Sequence, residues 1–331
     1  MSTQNTATPQ HSGRPPRARV IVDNDFAGDP DDLFQLAHHL LSPAVEVPFI
    51  IASRLPAVPP GFQIGSVGRG ASVVEALLNT MKLDVPIKRG TEQERSGTSP
   101  VRSSASDAIV AEALRDDTEL PLYLVLGGGL TELANAYLTN PAIADRVTAI
   151  WIGGPGYSEI EPEQPAMFGA EYNMNIDVPS AQIIFNSSIP LWQVPADTYR
   201  QCLVSWAELR QRLGGSGQLG AHLIGALDEF ADLVGAHGTN LGETYVLGDN
   251  PLVLLTALQS GFDPDPSSSN SVSRPRMSIT DSGWYGPPNT GLPAVRVFTE
   301  LDTRLMFEDM YAKFTAHAAS DSDSTSETRS A

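Results

Sequence analysis

Val20-Ile21-Val22-Asp23-Asn24-Asp25-Phe26-Ala27-Gly28-Asp29-Pro30-Asp31-Asp32-Leu33 is the stretch from which the fold is read. Three branched apolar residues run into an acid, and a turn rich in Gly, Asp and Pro follows. Beyond it, Leu33, Leu36, Ala37, Leu40 and Leu41 fall at i, i+3, i+4, i+7 and i+8, the stripe of a helix that packs on one side. A strand apolar on both faces leading into such a helix is the opening of a parallel βα unit. The pattern recurs. Apolar runs at Val47 to Ala52, Leu122 to Leu126, Val147 to Ile152 and Ile189 to Val194 alternate with stretches of helical spacing. Those stretches are Ser72 to Met81, Asp107 to Leu114, Leu130 to Leu138, Pro179 to Phe185, Gln218 to Val234 and Pro251 to Leu258. The expectation is an α/β fold, a mostly parallel central sheet flanked by helices. It forms one domain over 18–318, between a polar tail at 1–17 and an acidic tail at 319–331, both expected to be disordered.

Composition narrows the function. With 21 Lys and Arg against 39 Asp and Glu the net charge is −18, a field that repels nucleic acid. A single cysteine, Cys202, excludes a disulfide framework and a Cys-rich metal cluster. No apolar run reaches the roughly 18 residues of a membrane helix, and Met1 to Arg19 lacks the apolar segment of a secretion signal. A cytoplasmic protein with no membrane or nucleic-acid partner is expected.

In an open parallel sheet, ligands bind beyond the carboxyl ends of the strands. At the first such end, five carboxylates lie between residues 23 and 32. Asp29 suits a helix N-cap, Pro30 the first helical position, and acids in a first turn complement the helix dipole. Asp23 and Asp25 have no such role, and carboxylates this close require a cation or a shared proton. An all-oxygen donor set selects a hard ion, Ca²⁺ or Mg²⁺. The loop is not an EF-hand, because the closing Glu is missing. A phosphatase of the haloacid-dehalogenase type also begins with strand-Asp-x-Asp, but it needs a later lysine in a loop after a strand. Lys82, Lys88 and Lys313, the only lysines, do not meet that need. Gly127 to Gly129 has no Lys-Ser/Thr after it and is not a phosphate loop.

An apolar strand, Asp-x-Asp, a Gly-bearing turn and Asp-Asp opening a helix resembles the nucleoside hydrolases, and the likeness extends from about Arg19 to Phe314. Leu126-Gly127-Gly128-Gly129-Leu130-Thr131-Glu132 resembles their Thr-Gly-Pro-Leu-Thr-Asn segment, and Trp151-Ile152-Gly153-Gly154 their Met-Gly-Gly turn. Ala170-Glu171-Tyr172-Asn173 with Asp177 and Ala181 is similar to Ala-Glu-Phe-Asn…Asp-Pro-Glu-Ala. Gly248-Asp249-Asn250-Pro251-Leu252 is similar to the family's His-Asp-Pro-Leu. The resemblance implies Ca²⁺-dependent cleavage of a nucleoside's N-glycosidic bond, through an oxocarbenium-like transition state. It assigns Asp25, Asp32, Asp249 and the Gly127 carbonyl to the ion, and makes Asp25 the general base on a metal-bound water. Asp31, Glu171 and Asn173 fall to the sugar hydroxyls, and Asp23 to support of the loop. A homo-oligomer, dimer or tetramer, is implied by analogy.

Four departures stand out. Five residues separate Asp25 from Asp31 where the family usually has three, so Asp29 competes with Asp31 for the sugar. Gly248 replaces a His that in some members protonates the leaving base. Ser53-Arg54-Leu55 lacks an Asn that touches the ribose, and Pro165 or a neighbour replaces another. These leave open an unusual glycoside, or a binding module that kept the fold and the metal without turnover. His237 and Trp284 are candidates to meet the base, Trp284 with Tyr285 by stacking. His38 and His39 are expected to pack or face solvent.

Overall fold

Ala18–Asn24 forms the central strand, β1, of the computed structural model, which describes residues 15–56, 65–93, 95, 97–157, 170–262 and 267–327, without side chains beyond 320. The other strands are β2 (Val45–Glu46), β3 (Ile50–Ala52), β4 (Ile87–Arg89), β5 (Leu122–Leu126), β6 (Val147–Ile152), β7 (Leu191–Val194), β8 (Leu203–Ser205), β9 (Thr244–Val246), β10 (Asn270–Arg274), β11 (Met277–Ile279), β12 (Tyr285–Pro288) and β13 (Val295–Glu300). The main sheet runs β10-β13-β7-β6-β5-β1-β3-β4, with β2 also on β1. Its pairings are parallel except at the β10–β13 edge. The α/β reading therefore holds. Each of the five apolar runs supplies a strand of this sheet.

β4, β10 and β13 were outside the sequence-based expectation. Ile87–Arg89 is a short polar edge strand. In Val295–Glu300 the buried Val295 and Val297 alternate with half-exposed Arg296, a pattern that the search for doubly apolar runs passes over. Two hydrophobic layers cover the sheet. One contains Val20, Val22, Phe34 and Leu36, the other Ile21, Leu124, Leu126 and Trp151. Successive residues of β1 thus feed opposite layers, as the two-residue period of a strand requires.

Register aligns the strand ends. Asp23 stands opposite Ile51 on β3 and Leu126 on β5, which brings Asn24, Ala52 and Gly127 to one level. From the other side, β8 and β9 pair antiparallel and the Leu247 N–H donates to the Cys202 carbonyl at 3.0 Å. This returns Gly248 and Asp249 to the same edge of the sheet.

The helix Asp31–Leu40 begins one residue later than expected. Pro30 occupies the N-cap position without a side-chain cap, and Asp29 is bound elsewhere. At the chain ends, Arg17 is held at Ala44 and Gln259 by its backbone N–H (2.8 Å) and its guanidinium (2.7 Å). Residues 1–14 lie outside the described residues. The last helix, Thr303–Glu327, continues past residue 318, where composition places the tail. Once a helix is nucleated, each further residue gains a hydrogen bond for two dihedrals fixed, so a polar sequence can prolong it.

His38 fastens the Asp31–Leu40 helix to that last helix. Its Nε2 meets Asp309 Oδ2 at 2.7 Å, Lys313 pairs with the same carboxylate, and Lys313 Nζ donates to Ser42 Oγ at 2.8 Å. Burial, only partly offset by Asp309, pushes the imidazole down to about 4. Its pKa is lower folded than unfolded, so the unfolded chain takes the proton first and stability falls as pH drops from about 6.5 toward 4. The stability of wild type relative to His38→Gln, from urea unfolding at pH 7.5 and pH 5, should shrink on acidification by up to about 2 kcal/mol.

Candidate active site

The carboxyl end of β1 carries the site. Asp23 is wholly buried at the end of the strand, and Asp25 turns into the loop, where its carbonyl accepts the Gly28 N–H at 2.7 Å. Asp31 and Asp32 open the helix and Asp249 closes the site from the far side, all three buried. Single carboxylate oxygens of Asp31, Asp32 and Asp249 lie within 4.8 Å of one another, a spacing that a divalent ion can bridge. Asp25 Oδ2 and Asp32 Oδ2 are buried without a hydrogen-bond partner among the described residues. Orphaned buried anionic oxygens need a counter-ion or a proton. The donor set, all oxygen and strongly anionic, fits a hard divalent cation.

The electrostatics agree. Burial first, then Asp29 and Asp249, drives the Asp25 carboxyl well above the usual range. Burial, Asp29, Asp249 and Asp25 do the same to Asp31, and burial, Asp249 and Asp25 to Asp32. Asp249 is pushed up to about 7, again chiefly by burial, against a hydrogen bond with Asp32. Asp29, third of the loop's five acids, has its Oδ2 on the Tyr245 hydroxyl at 2.8 Å, whereas Asp31 Oδ2 accepts the Asp249 N–H at 3.2 Å. Asp31 is thus tied to Asp249 and grouped with the other acids, and Asp29 is tied to the β9 side.

Gly127 and its neighbours fill the space between these acids. A Cβ on Gly127 would lie 2.0 Å from Asp249 Oδ2 and 2.8 Å from Asn24 Oδ1. A Cβ on Gly128 would lie 2.9 Å from Asp25 Oδ1. The glycines are there because carboxylates occupy the volume of a side chain. The Gly127 carbonyl accepts Asn173 Nδ2 at 2.8 Å, and the same amide group donates to Ile152 O at 2.9 Å. Glu171 caps its helix. Its Oε2 accepts the Gly154 and Met174 N–H groups at 2.8 and 2.9 Å, and its Oε1 the Tyr199 hydroxyl at 2.9 Å. Gly154, at φ +89°, approaches Gln193 and Tyr285 too closely for any side chain.

The remaining sequence candidates are placed as follows. Tyr285 is the inward member of its pair, stacked on Tyr157 with ring centres 4.9 Å apart, while Trp284 is 45% exposed. His237 caps the helix Gly217–Ala236 at the surface, with Nδ1 2.9 Å from Leu233 O. Pro165 lies outside the described residues. Sequence reasoning missed Tyr199 and Tyr245, which touch Glu171 and Asp29, and it missed the buried polar set behind Asp249. No local pattern marks either tyrosine, because both reach the site through folding of distant segments.

The family model described as inosine-uridine preferring nucleoside hydrolase matches residues 20–307. The inosine-uridine preferring nucleoside hydrolase of Crithidia fasciculata is 39% identical over 82 residues, which is 25% of this chain and 25% of that relative's length. Among solved structures, a purine-preferring ribonucleoside hydrolase from Gardnerella vaginalis superposes with a TM-score of 0.71 at 18% identity, over 91% of this chain and 99% of the other. A plant nucleoside hydrolase gives 0.68 at 20% identity, over 91% of this chain and 100% of its own. An inosine-uridine preferring nucleoside hydrolase from Bacillus anthracis gives 0.62 at 16% identity, over 90% of this chain and 99% of its own. At these identities the structures establish the fold.

Gly127 has no left-handed φ, so alanine there is excluded by collision alone. Gly127→Ala should displace Asp249 and lower stability by about 1–3 kcal/mol. The loss should read out as a lower melting temperature in differential scanning fluorimetry in the presence of EDTA.

Proposed function

Because this chain belongs to the inosine-uridine preferring nucleoside hydrolase family, we propose that it hydrolyses the N-glycosidic bond of a ribonucleoside or a modified one, releasing the free base and the sugar. The convergence of Asp31, Asp32 and Asp249 at the carboxyl end of the sheet, beside the unpartnered Asp25 Oδ2, carries this reading. Asp25, Asp32, Asp249 and the Gly127 carbonyl would hold a divalent cation, and Ca²⁺ suits their number of oxygens and their charge. When bound, such an ion makes water more acidic and offsets the mutual repulsion of the carboxylates.

The chain's own residues supply the other steps. Asp25 takes the proton of the attacking water at Oδ2, the oxygen that nothing else occupies. The surrounding carboxylates stabilise the positive charge that develops on the sugar as the bond to the base breaks. Asp31 meets the sugar hydroxyls, since Asp29 is engaged by Tyr245. Glu171 and Asn173 shape the opposite wall. Both are anchored by several hydrogen bonds, and such anchoring fixes their positions before the sugar arrives.

Reducing-sugar release from purine, pyrimidine and modified nucleosides tests the proposal, with EDTA and with Ca²⁺ restored. The expected result is release that EDTA abolishes and Ca²⁺ recovers. Asp25→Asn should lower kcat by about 10²–10⁴ while the protein stays folded. Tight Ca²⁺ binding with no release from any nucleoside would instead support a binding module. Protons compete for the same carboxylates, and protonation of Asp249 near pH 7 removes ligand charge. Ca²⁺ affinity by calorimetry should therefore be weaker at pH 6 than at pH 8.

A further inference from the structure

Behind Asp249 lies a chain of neutral polar side chains, all buried. Asn24 Nδ2 donates to Asp249 Oδ2 at 3.1 Å and to Gln35 Oε1 at 3.0 Å, while Asn24 Oδ1 accepts the Gly127 N–H at 2.9 Å. Gln35 Nε2 contacts His39 Nδ1, and His39 Nε2 meets Thr256 Oγ1 at 2.9 Å. Thr256 donates its own proton to Leu252 O at 2.7 Å. Asp32, Gln35 and His39 share one face of their helix, at i, i+3 and i+7.

The donor and acceptor roles follow in order. Thr256 Oγ1 has given its proton to Leu252, so it accepts from His39 Nε2–H. His39 Nδ1 is then the unprotonated nitrogen and accepts from the Gln35 amide. This leaves Gln35 Oε1 facing Asn24, whose amide turns its N–H groups toward Gln35 and Asp249 and its oxygen toward Gly127. Each orientation fixes the next. The path is also closed, because Leu252 and Thr256 follow Asp249 in the same segment. Asp249 is gripped through its backbone and, by way of His39, Gln35 and Asn24, through its carboxylate.

We propose that Gln35 and His39 are positioning residues that hold the Asp249 carboxylate, through Asn24, in the orientation a divalent cation requires, so that they set cation affinity without touching the ion. The inference rests on the metal reading of the site given above. Residues that orient a ligand from behind typically govern metal affinity by 10–100-fold. Neither residue has another evident task. A leucine or methionine would fill the same space between helix and sheet without the desolvation cost of an amide and an imidazole.

The test is calorimetric titration with Ca²⁺, and with Mg²⁺ in parallel, alongside melting temperatures in EDTA. Gln35→Met and His39→Leu should weaken cation binding by about tenfold or more. His39→Asn, which keeps an acceptor for the Gln35 amide, should recover most of that loss. His38→Gln serves as the control: it alters the neighbouring buried histidine, which bonds Asp309, and should shift the melting temperature without changing cation affinity. Should Gln35→Met fail to fold, the His39→Leu and His39→Asn pair decides. Variants that melt earlier yet bind the cation within twofold of wild type overturn the proposal and leave the metal reading intact. A wild-type protein that binds neither ion overturns the metal reading, and this proposal with it.

Discussion

Repulsion among buried carboxylates is the constraint around which this structure is arranged. Asp23, Asp25, Asp31, Asp32 and Asp249 are all buried at one edge of the sheet, with Asp29 beside them. Removing one carboxylate from water is already costly, and each neighbour adds to the cost. The raised proton affinities of these groups express that cost. An arrangement like this detracts from folding, so it is kept for what it binds rather than for stability. The donors that reach Asp29, Asp31 and Asp249 are neutral: the Tyr245 hydroxyl, the Asp249 N–H and the Asn24 amide. Neutral donors orient a carboxylate without cancelling its charge. The anionic character that a cation needs is thereby preserved.

The parallel sheet makes the cluster possible. Strands in register deliver the ends of β1, β3, β5 and β6 to one level, and helix N-termini begin just beyond them. The backbone must come close where the carboxylates crowd, which explains Gly127 and Gly128 physically. They are not a phosphate cradle. Their missing side chains are the volumes into which Asp249 and Asp25 point. Gly248 is less constrained, since a Cβ there would lie 3.3 Å from Asp31 Oδ2 and 3.4 Å from the Tyr199 ring, close to ordinary contact. The ring beside Gly248 is that of Tyr199, whose hydroxyl is committed to Glu171.

The sheet and the acid loop could be read from residues because their signals are local. Five doubly apolar runs became five strands, and Asp31 and Asp32, in the acidic stretch after the first run, lie together with Asp249, more than 200 residues away. What sequence could not give was long-range pairing. The extra two residues between Asp25 and Asp31 are visible in the chain, but their consequence, Asp29 turning to Tyr245, depends on where β9 lands. The Trp284-Tyr285 pair reads as two equivalent aromatics. Only the fold decides that Tyr285, at the start of β12, stacks on Tyr157 while Trp284, just before the strand, stays exposed.

The adjacent histidines show the same limit most sharply. His38 and His39 follow the acid loop in a helix, and nothing in their sequence distinguishes them. A step of one residue turns the side chain by about 100° around the helix. His38 consequently faces the last helix and pairs with Asp309, while His39 falls in line with Asp32 and Gln35 and faces Thr256. The first joins elements of the fold, and the second ends a chain of hydrogen bonds that begins on Asp249. Distance in sequence from the acids is nearly the same for both. A buried histidine near an acidic loop is thus assigned to site or scaffold by the helix face it occupies, and that face is fixed by the heptad-like spacing Asp32, Gln35, His39. Spacing alone does not separate the two, because Asp31, Gln35 and His38 also fall at i, i+4 and i+7, and it is the segment packed on each face that does.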